Sequence, residues 1–287
     1  MSPPSRFRLL FAFALPLFAD ADPFSAAKSL YDQSKPAEAT AAFTTLLAAD
    51  RTNPEIHYHL GLLALRRDDP KAAVPFFETA VALAPRHGEY HRRLGDALAV
   101  LAQRVNALSA YGLARKSKRA YETAVALDPA NAGFRWSLLE YCKNAPAVVG
   151  GSVAEAYAQA DAIAQLDARS GRWARAIVLL HDNQSAHALD LFASALTTTP
   201  PDYVALVRFG FLAQWSGSRL EEGLRALDTC LTLPPPPGET GHHRIHYSRG
   251  QILEKLQQPA AARTAYGAAL ALAPSFTAAA DALAKLR

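Results

Sequence analysis

One short segment of this chain comes back twice. Glu55-Ile56-His57-Tyr58-His59-Leu60-Gly61 returns as Arg244-Ile245-His246-Tyr247-Ser248-Arg249-Gly250, and a third copy, Glu89-Tyr90-His91-Arg92-Arg93-Leu94-Gly95, lies 34 residues after the first. A second segment recurs behind each: Ala73-x3-Phe77-x2-Ala80-x4-Pro85, Ser117-x3-Tyr121-x2-Ala124-x4-Pro129 and Ala262-x3-Tyr266-x2-Ala269-x4-Pro274. A chain that repeats itself at this spacing is an array of like units, each touching mainly its neighbours. The period therefore overrides the two globular domains that 287 residues would otherwise suggest. Alanine is abundant, and β-branched residues nowhere alternate with polar ones over a strand's length, so every unit is read as helical.

The spacing also explains two residue types. Gly61, Gly95, Gly210 and Gly250 hold the eighth place of their repeats, inside predicted helices, where glycine costs about 1 kcal/mol against alanine. Four such costs at one place call for a shared cause, and close approach of two helix backbones is the expected one. Pro85, Pro129, Pro200, Pro234 and Pro274 hold the thirty-second place and are expected to end each second helix.

Head and tail together resemble the tetratricopeptide repeat, a helix-turn-helix unit. The resemblance covers nearly all of the chain beyond its first residues. It implies an all-α fold, an α-solenoid of about seven repeats forming a right-handed superhelix. The repeats are placed at 20–53, 54–87, 88–131, 132–168, 169–202, 203–236 and 243–276. Residues 277–287 form a capping helix with Ala280, Leu283 and Leu286 on one side. The third repeat carries about ten extra residues around 103–115 and the fourth an insertion at 144–152, read as a flexible link. Inserts in adjacent repeats are expected to share one stretch of the array.

The resemblance further implies a groove lined by the first helix of each repeat, where the family binds peptides or protein segments and seldom does chemistry. In that register the groove set is Tyr58, His59 and Leu62; Arg92, Arg93 and Asp96; Trp136 and Glu140; Arg208, Phe211 and Trp215; Tyr247, Gln251 and Lys255. Aromatic and arginine side chains are those that most often carry binding energy. Trp173 fits either a core or a groove place. The paired lysine and asparagine with which some members clamp a C-terminal carboxylate are replaced here by Tyr58 and Leu62, Arg92 and Asp96, and Trp136 and Glu140.

Arg6 and Arg8 precede an apolar run from Leu9 to Ala19, and Ala19-Asp20-Ala21 has the small-x-small form of a signal peptidase site. Residues 1–21 are thus expected to be a cleaved export signal that places the protein in the periplasm or outside the cell. Pro16 and the shortness of the run argue against a stable membrane helix. Losing Arg6, Arg8 and Asp20 lowers the formal charge from +4 to +3, too dispersed for nucleic acid. Cys142 and Cys230 fall about two repeats apart and are read as buried thiols, not a disulfide.

His57, His91 and His246 share the fourth place and are read as packing residues. His242, His243 and His246, and His87 with His91, have no neighbouring carboxylate or cysteine to complete a metal site. The run Arg115-Lys116-Ser117-Lys118-Arg119 reads as a solvated helix start, with an acidic partner surface as the alternative. No nucleophile, base and orienting group stand out together, and neither cofactor nor metal is implied. The expectation is a non-enzymatic scaffold binding another protein or a peptide segment. The alternatives are an accessory subunit of an envelope machine that contacts partners through the inserts, and, remotely, an enzyme with groups around Glu140, His59 and Trp173.

Overall fold

The computed structural model describes residues 22–286, so the export segment expected at 1–21 lies outside the described residues. The chain divides into two compact bodies, Met1–Tyr90 and His91–Arg287. Among the described residues there are fifteen α-helices and no strand.

The N-terminal body pairs α1 (Pro23–Asp32) with α2 (Pro36–Ala49) and α3 (Pro54–Arg66) with α4 (Pro70–Leu83). Their starts are written in the sequence. Each has proline in its first turn, where a missing N–H costs nothing, and Asp22, Asn53 and Asp69 accept backbone N–H groups as caps. The core is Ala27, Ala39, Phe43, Ile56, Leu60 and Leu63.

α5 (Gly88–Ala102) includes the division at Tyr90. The C-terminal body continues with α6 (Ala107–Leu127), α7 (Ala132–Asn144), α8 (Val153–Leu166), α9 (Ala168–His181), α10 (Ser185–Asp190), α11 (Tyr203–Ser216), α12 (Leu220–Leu231), α13 (His242–Lys255), α14 (Pro259–Leu272) and α15 (Thr277–Lys285). Asn106, Asn131, Ser152, Asp167 and Asp202 cap the helices that follow them. At the other ends, Ala84, Asp128 and Ala273 are held extended by the proline behind each, which stops α4, α6 and α14.

Not every proline acts this way. α12 has ended at Leu231, three residues before Pro234, and the second helix of the fifth repeat is broken. It consists of the short α10 and a 3-10 turn, Ala193–Leu196, that stops well before Pro200. Ala188, Leu189, Phe192 and Ala195 from this broken stretch are nevertheless buried against α11.

Most repeats turn from first to second helix through a left-handed residue other than glycine: Ser34 and Asp68 in the N-terminal body, Asn183, Arg219 and Gln257 in the C-terminal body, with Gly217 left-handed as well in the turn of Arg219. The third and fourth repeats, which carry the inserts, turn differently. The extra residues of the third become helix, lengthening α6 to 21 residues. The basic run 115–119 accordingly sits in the middle of a helix, not at a start. There Ser117 is buried with its hydroxyl on Gly95 O at 2.8 Å, and Lys118 pairs with Glu155 at 2.7 Å.

The insert of the fourth repeat is a hydrogen-bonded turn, not a flexible link. Ala147–Val149 forms a 3-10 turn closed by Gly150 at φ 95°, and Gly151 N donates to Pro146 O at 3.0 Å while Ser152 N donates to Cys142 O at 2.8 Å. A β-carbon on Gly151 would stand 1.7 Å from Ala145 O, so only glycine closes this turn.

The eighth-place glycines have a different neighbour from the one expected. A β-carbon at Gly61 would meet the Phe77 ring at 2.7 Å, at Gly95 the Tyr121 ring at 2.7 Å, at Gly210 the Leu227 side chain at 2.4 Å and at Gly250 the Tyr266 ring at 2.3 Å. The glycine makes room for one large side chain of the second helix, not for a second backbone. Where that side chain is tyrosine, its hydroxyl finds a carboxylate on the first helix: Tyr121 on Asp96 at 2.9 Å and Tyr266 on Glu254. Where it is Phe77, no acceptor is needed, and Leu62 stands at the place equivalent to Asp96.

On α15, Ala279 is buried and Ala282, Leu283 and Leu286 pack on the cluster around Tyr266, whereas Ala280, expected on the packed side, faces solvent. No helix among the described residues is long and apolar enough to cross a membrane.

A candidate binding groove in the C-terminal body

All three tryptophans of the chain meet in one place. Trp136 of α7, Trp173 of α9 and Trp215 of α11 line a cavity of about 460 Å³ together with Glu140, Lys143, Ile177, Leu180 and His181. The register question at Trp173 is thus resolved in favour of the open face. Its ring lies 5.7 Å from that of Trp215, which lies 5.9 Å from Phe211. Trp215 is 47% exposed.

Trp215 and Phe211 are also walls of a second cavity, about 270 Å³, completed by Gln214, Arg244, Tyr247, Ser248, Gln251 and Phe276. The two cavities therefore form one aromatic strip along α7, α9, α11 and α13, the first helices of four consecutive repeats. One helix periodicity explains the strip. With Trp173 facing outward, Ile177 and His181 follow at four-residue steps on the same face, so both were within reach of the sequence once that register was chosen.

The polar groups at the strip are mostly engaged. Glu140 accepts from Lys143 at 2.9 Å and from the Asn144 amide at 3.0 Å. Arg208, expected in the groove, is not a wall of either cavity. Its guanidinium lies 4.9 Å from the Trp173 ring centre, its Nε is buried without a hydrogen-bond partner, and burial lowers its pKa. Lys255 bends back to donate to Gln214 O at 2.5 Å.

Other expected groove residues lie elsewhere. His59 is only 5% exposed: it stacks on Phe43 at 4.8 Å, meets Phe24 and Tyr31 edge-on, and its Nδ1 is 2.8 Å from Glu55 O. The preceding repeat, through Phe24 and Tyr31 of α1 and Phe43 of α2, covers the sixth place of this one. Leu62 is buried as well. Tyr58 is half-buried, with its hydroxyl donating to Glu89 at 3.2 Å. Arg92 and Arg93 both reach Asp96 at 3.4 Å, and Asp96 is itself the acceptor for Tyr121.

A catalytic grouping of Glu140, His59 and Trp173 is contradicted, because the His59 ring is sealed by aromatic side chains. Several other histidines also have packing roles. His57 Nε2 is 2.9 Å from Arg51 O, His87 stacks on Tyr90, His242 Nε2 is 2.9 Å from Leu233 O, and His243 meets Phe276 edge-on. His246 is half-buried, and burial followed by the Arg249 charge holds its pKa down. Among the described residues, no three histidine, cysteine or acidic side chains gather as metal ligands would. Cys142 and Cys230 are buried thiols, and burial pushes each up to about 12.

A third, larger cavity of about 870 Å³ lies between α5, the lengthened α6, α7 and the turn after it. Both inserts contribute walls, Ala107, Ala110, Tyr111 and Ala114 from one and Pro146, Val148 and Val149 from the other. The Tyr141 hydroxyl sits 2.8 Å from Ala114 O and 2.9 Å from Val149 O and so pins the two walls together.

Repeated helical hairpins that present an aromatic strip on their first helices define a protein of the repeat-scaffold class, with an all-α fold of α-solenoid type. Residues 24–87 and, separately, 243–276 match the tetratricopeptide repeat. The chain therefore carries tetratricopeptide repeats in both of its bodies.

Solved structures agree on the fold. A tetratricopeptide repeat protein from Parabacteroides merdae is 13% identical with a TM-score of 0.62, over 92% of this chain and 96% of that one. Yeast Tom70 is 16% identical with a TM-score of 0.65, over 94% of this chain and 58% of its own. The Cut9–Hcn1 hetero-tetramer of the APC/C contains a chain 16% identical with a TM-score of 0.51, over 94% of this chain and 49% of that one. No curated protein matches the sequence.

Proposed function

We propose that this protein is a non-enzymatic scaffold whose C-terminal body holds a peptide segment of another protein along the strip from Trp136 to Tyr247. The observation that carries the reading is the convergence of Trp136, Trp173 and Trp215, with Phe211 and Tyr247 continuing the line. Exposed tryptophan is costly to leave in water and is enriched where binding energy concentrates. Repeats of this class work mainly by protein contact, and Cut9 was solved as a hetero-tetramer with Hcn1. The near-neutral rim, with Glu140 balanced by Lys143, favours an apolar or aromatic anchor over a highly charged segment.

Affinity capture from cell-envelope extracts tests this reading. The double variant Trp136→Ala, Trp215→Ala is expected to lose the captured partner while its helical content and melting remain those of the parent. Binding of the partner should also change the intrinsic fluorescence of the parent, since every tryptophan stands in the strip. Undiminished capture by the double variant overturns the groove assignment. Turnover retained in highly purified protein and lost in Glu140→Gln overturns the non-enzymatic one.

We further propose export to the periplasm or cell exterior after cleavage behind Ala21. Asp22, the first residue after that site, is the cap of α1, which begins at Pro23, so cleavage there would leave the first helix with its cap. N-terminal sequencing of the protein from the periplasmic fraction should read Asp22-Pro23-Phe24. Intact Met1 on protein confined to the cytoplasm would refute export.

A further inference from the structure

We propose that the cavity walled by the two inserts is a second docking site, sharing only Glu140 with the tryptophan strip, and that its occupant is an amphipathic helix of a partner protein carrying an apolar stripe flanked by acidic residues. The walls are built for occupancy. Tyr141 ties α6 to the turn, Gly151 closes that turn where no other residue fits, and Lys118 bridges from α6 to Glu155 at the start of α8. The interior is largely apolar, with alanines at 99, 102, 107, 110, 114 and 145 leaving room for incoming side chains.

Exposure around the opening decides what kind of occupant fits. Of the walls, Val148 is 71% exposed and Tyr111 42%, and Leu108, next to the wall residue Ala107 on α6 but not itself a wall, is 89% exposed. A small molecule sunk between the walls would leave Leu108, which is outside them, in water. A macromolecular surface that spans the opening covers Leu108 and Val148 and sends its own side chains inward.

Charge decides the partner's chemistry. On α6, Leu108, Arg115 and Arg119 fall along one stripe beside the cavity face formed by Ala107, Ala110, Tyr111 and Ala114, as the helical period places them. Arg115 reaches the Tyr111 hydroxyl at 2.9 Å, which sets this cation at the lip itself, and Arg115, Lys116 and Arg119 are exposed. A helix of roughly 18 residues, about 27 Å long, presents apolar anchors at three- and four-residue steps with acidic groups on its flank, which matches a trough with one basic edge, the Asp96 and Glu140 carboxylates in its wall being paired with Arg92, Arg93 and Lys143.

The test uses the full chain as bait for a displayed library of helical peptides of roughly that length, with apolar residues fixed on one face and charges varied on the flanks. Selected peptides, labelled and titrated by fluorescence anisotropy, should carry Asp or Glu on one flank. Leu108→Asp and Val148→Asp, both surface changes, should each weaken binding on the order of tenfold with melting unchanged. Arg115→Glu with Arg119→Glu should do the same, and a peptide whose acidic flank is replaced by lysine should regain affinity for that double variant. Trp215→Ala should leave binding intact, which separates this site from the tryptophan strip. Selected peptides without flank preference, peptides lost with Trp215→Ala but indifferent to Leu108→Asp, or a cavity that takes a fluorescent long-chain fatty acid and no peptide would each overturn the proposal.

Discussion

A methyl group at position 250 would stand 2.3 Å from the Tyr266 ring, whereas one at Gly267, in the second helix of the same repeat, would meet nothing within 4 Å. Gly250→Ala gains about 1 kcal/mol of helix propensity but must displace a buried ring, which costs about 1–3 kcal/mol, so a lower thermal midpoint is expected. Gly267→Ala takes the propensity without the clash and should raise the midpoint. The opposite result at both positions would remove the steric account of the eighth place. The two thiols make a second residue-scale case. Burial raises Cys142 and Cys230 to about 12, against about 8.5 for an unstrained thiol, so both remain protonated in the native protein at pH 8. Ellman's reagent should therefore react slowly with native protein and rapidly once it is unfolded in urea. Above pH 8.5 the unfolded chain releases these protons and the fold does not, so the thiols make stability fall as pH rises toward 12.

At the scale of elements, the left-handed turn residues are a local cost that most repeats share. Gln257 sits at φ 59° between α13 and α14 with an ordinary side chain, a conformation that costs roughly 1 kcal/mol and that glycine adopts freely. Gln257→Gly is expected to raise the melting midpoint. Arg219, at φ 51°, should not reward the same change, because its guanidinium holds Glu222 at 2.6 Å and Asp190 at 3.2 Å. Differential scanning calorimetry of the two variants separates these cases, and equal gains would mean that the Arg219 pairs contribute nothing. Three helix ends were readable because proline is local chemistry: Pro85, Pro129 and Pro274 mark the ends of α4, α6 and α14. The broken fifth repeat was not readable. Its Ala188, Leu189, Phe192 and Ala195 keep apolar side chains buried on α11, and burial alone does not distinguish a continuous helix from two short pieces. The turn at Gly150 and Gly151 was misjudged for a related reason, since paired glycines signal freedom in isolation and tight closure only when Ala145 O is seen 1.7 Å from where a β-carbon would be.

For the whole molecule, an array stabilised by nearest neighbours should respond to damage locally. That same locality decided which parts of the groove could be anticipated. Trp136, Glu140, Phe211, Trp215, Tyr247 and Gln251 line cavities because place in a repeat fixes the face of a helix, but His59 depends on whether the preceding repeat covers it, and α1 and α2 do. Asp96 also lines a cavity, the largest of the three, while accepting from Tyr121 of the second helix. The end of the array offers the clearest test of locality. Ala282, Leu283 and Leu286 of α15 cover Tyr266 and Leu253, and removing residues 277–287 forfeits on the order of 3 kcal/mol of apolar burial from that repeat. Cys230 shares a core with Ile245 and Ile252 of α13, while Cys142 belongs to the separate core around Leu139 and Ile163. Truncation should therefore speed labelling of Cys230 by an order of magnitude, as α13 and α14 loosen, and leave Cys142 at its native rate. Single-cysteine versions of the truncated protein read the two rates separately. Equal acceleration at both thiols would mean that the C-terminal body opens as one cooperative unit, and the nearest-neighbour description of its stability would fail.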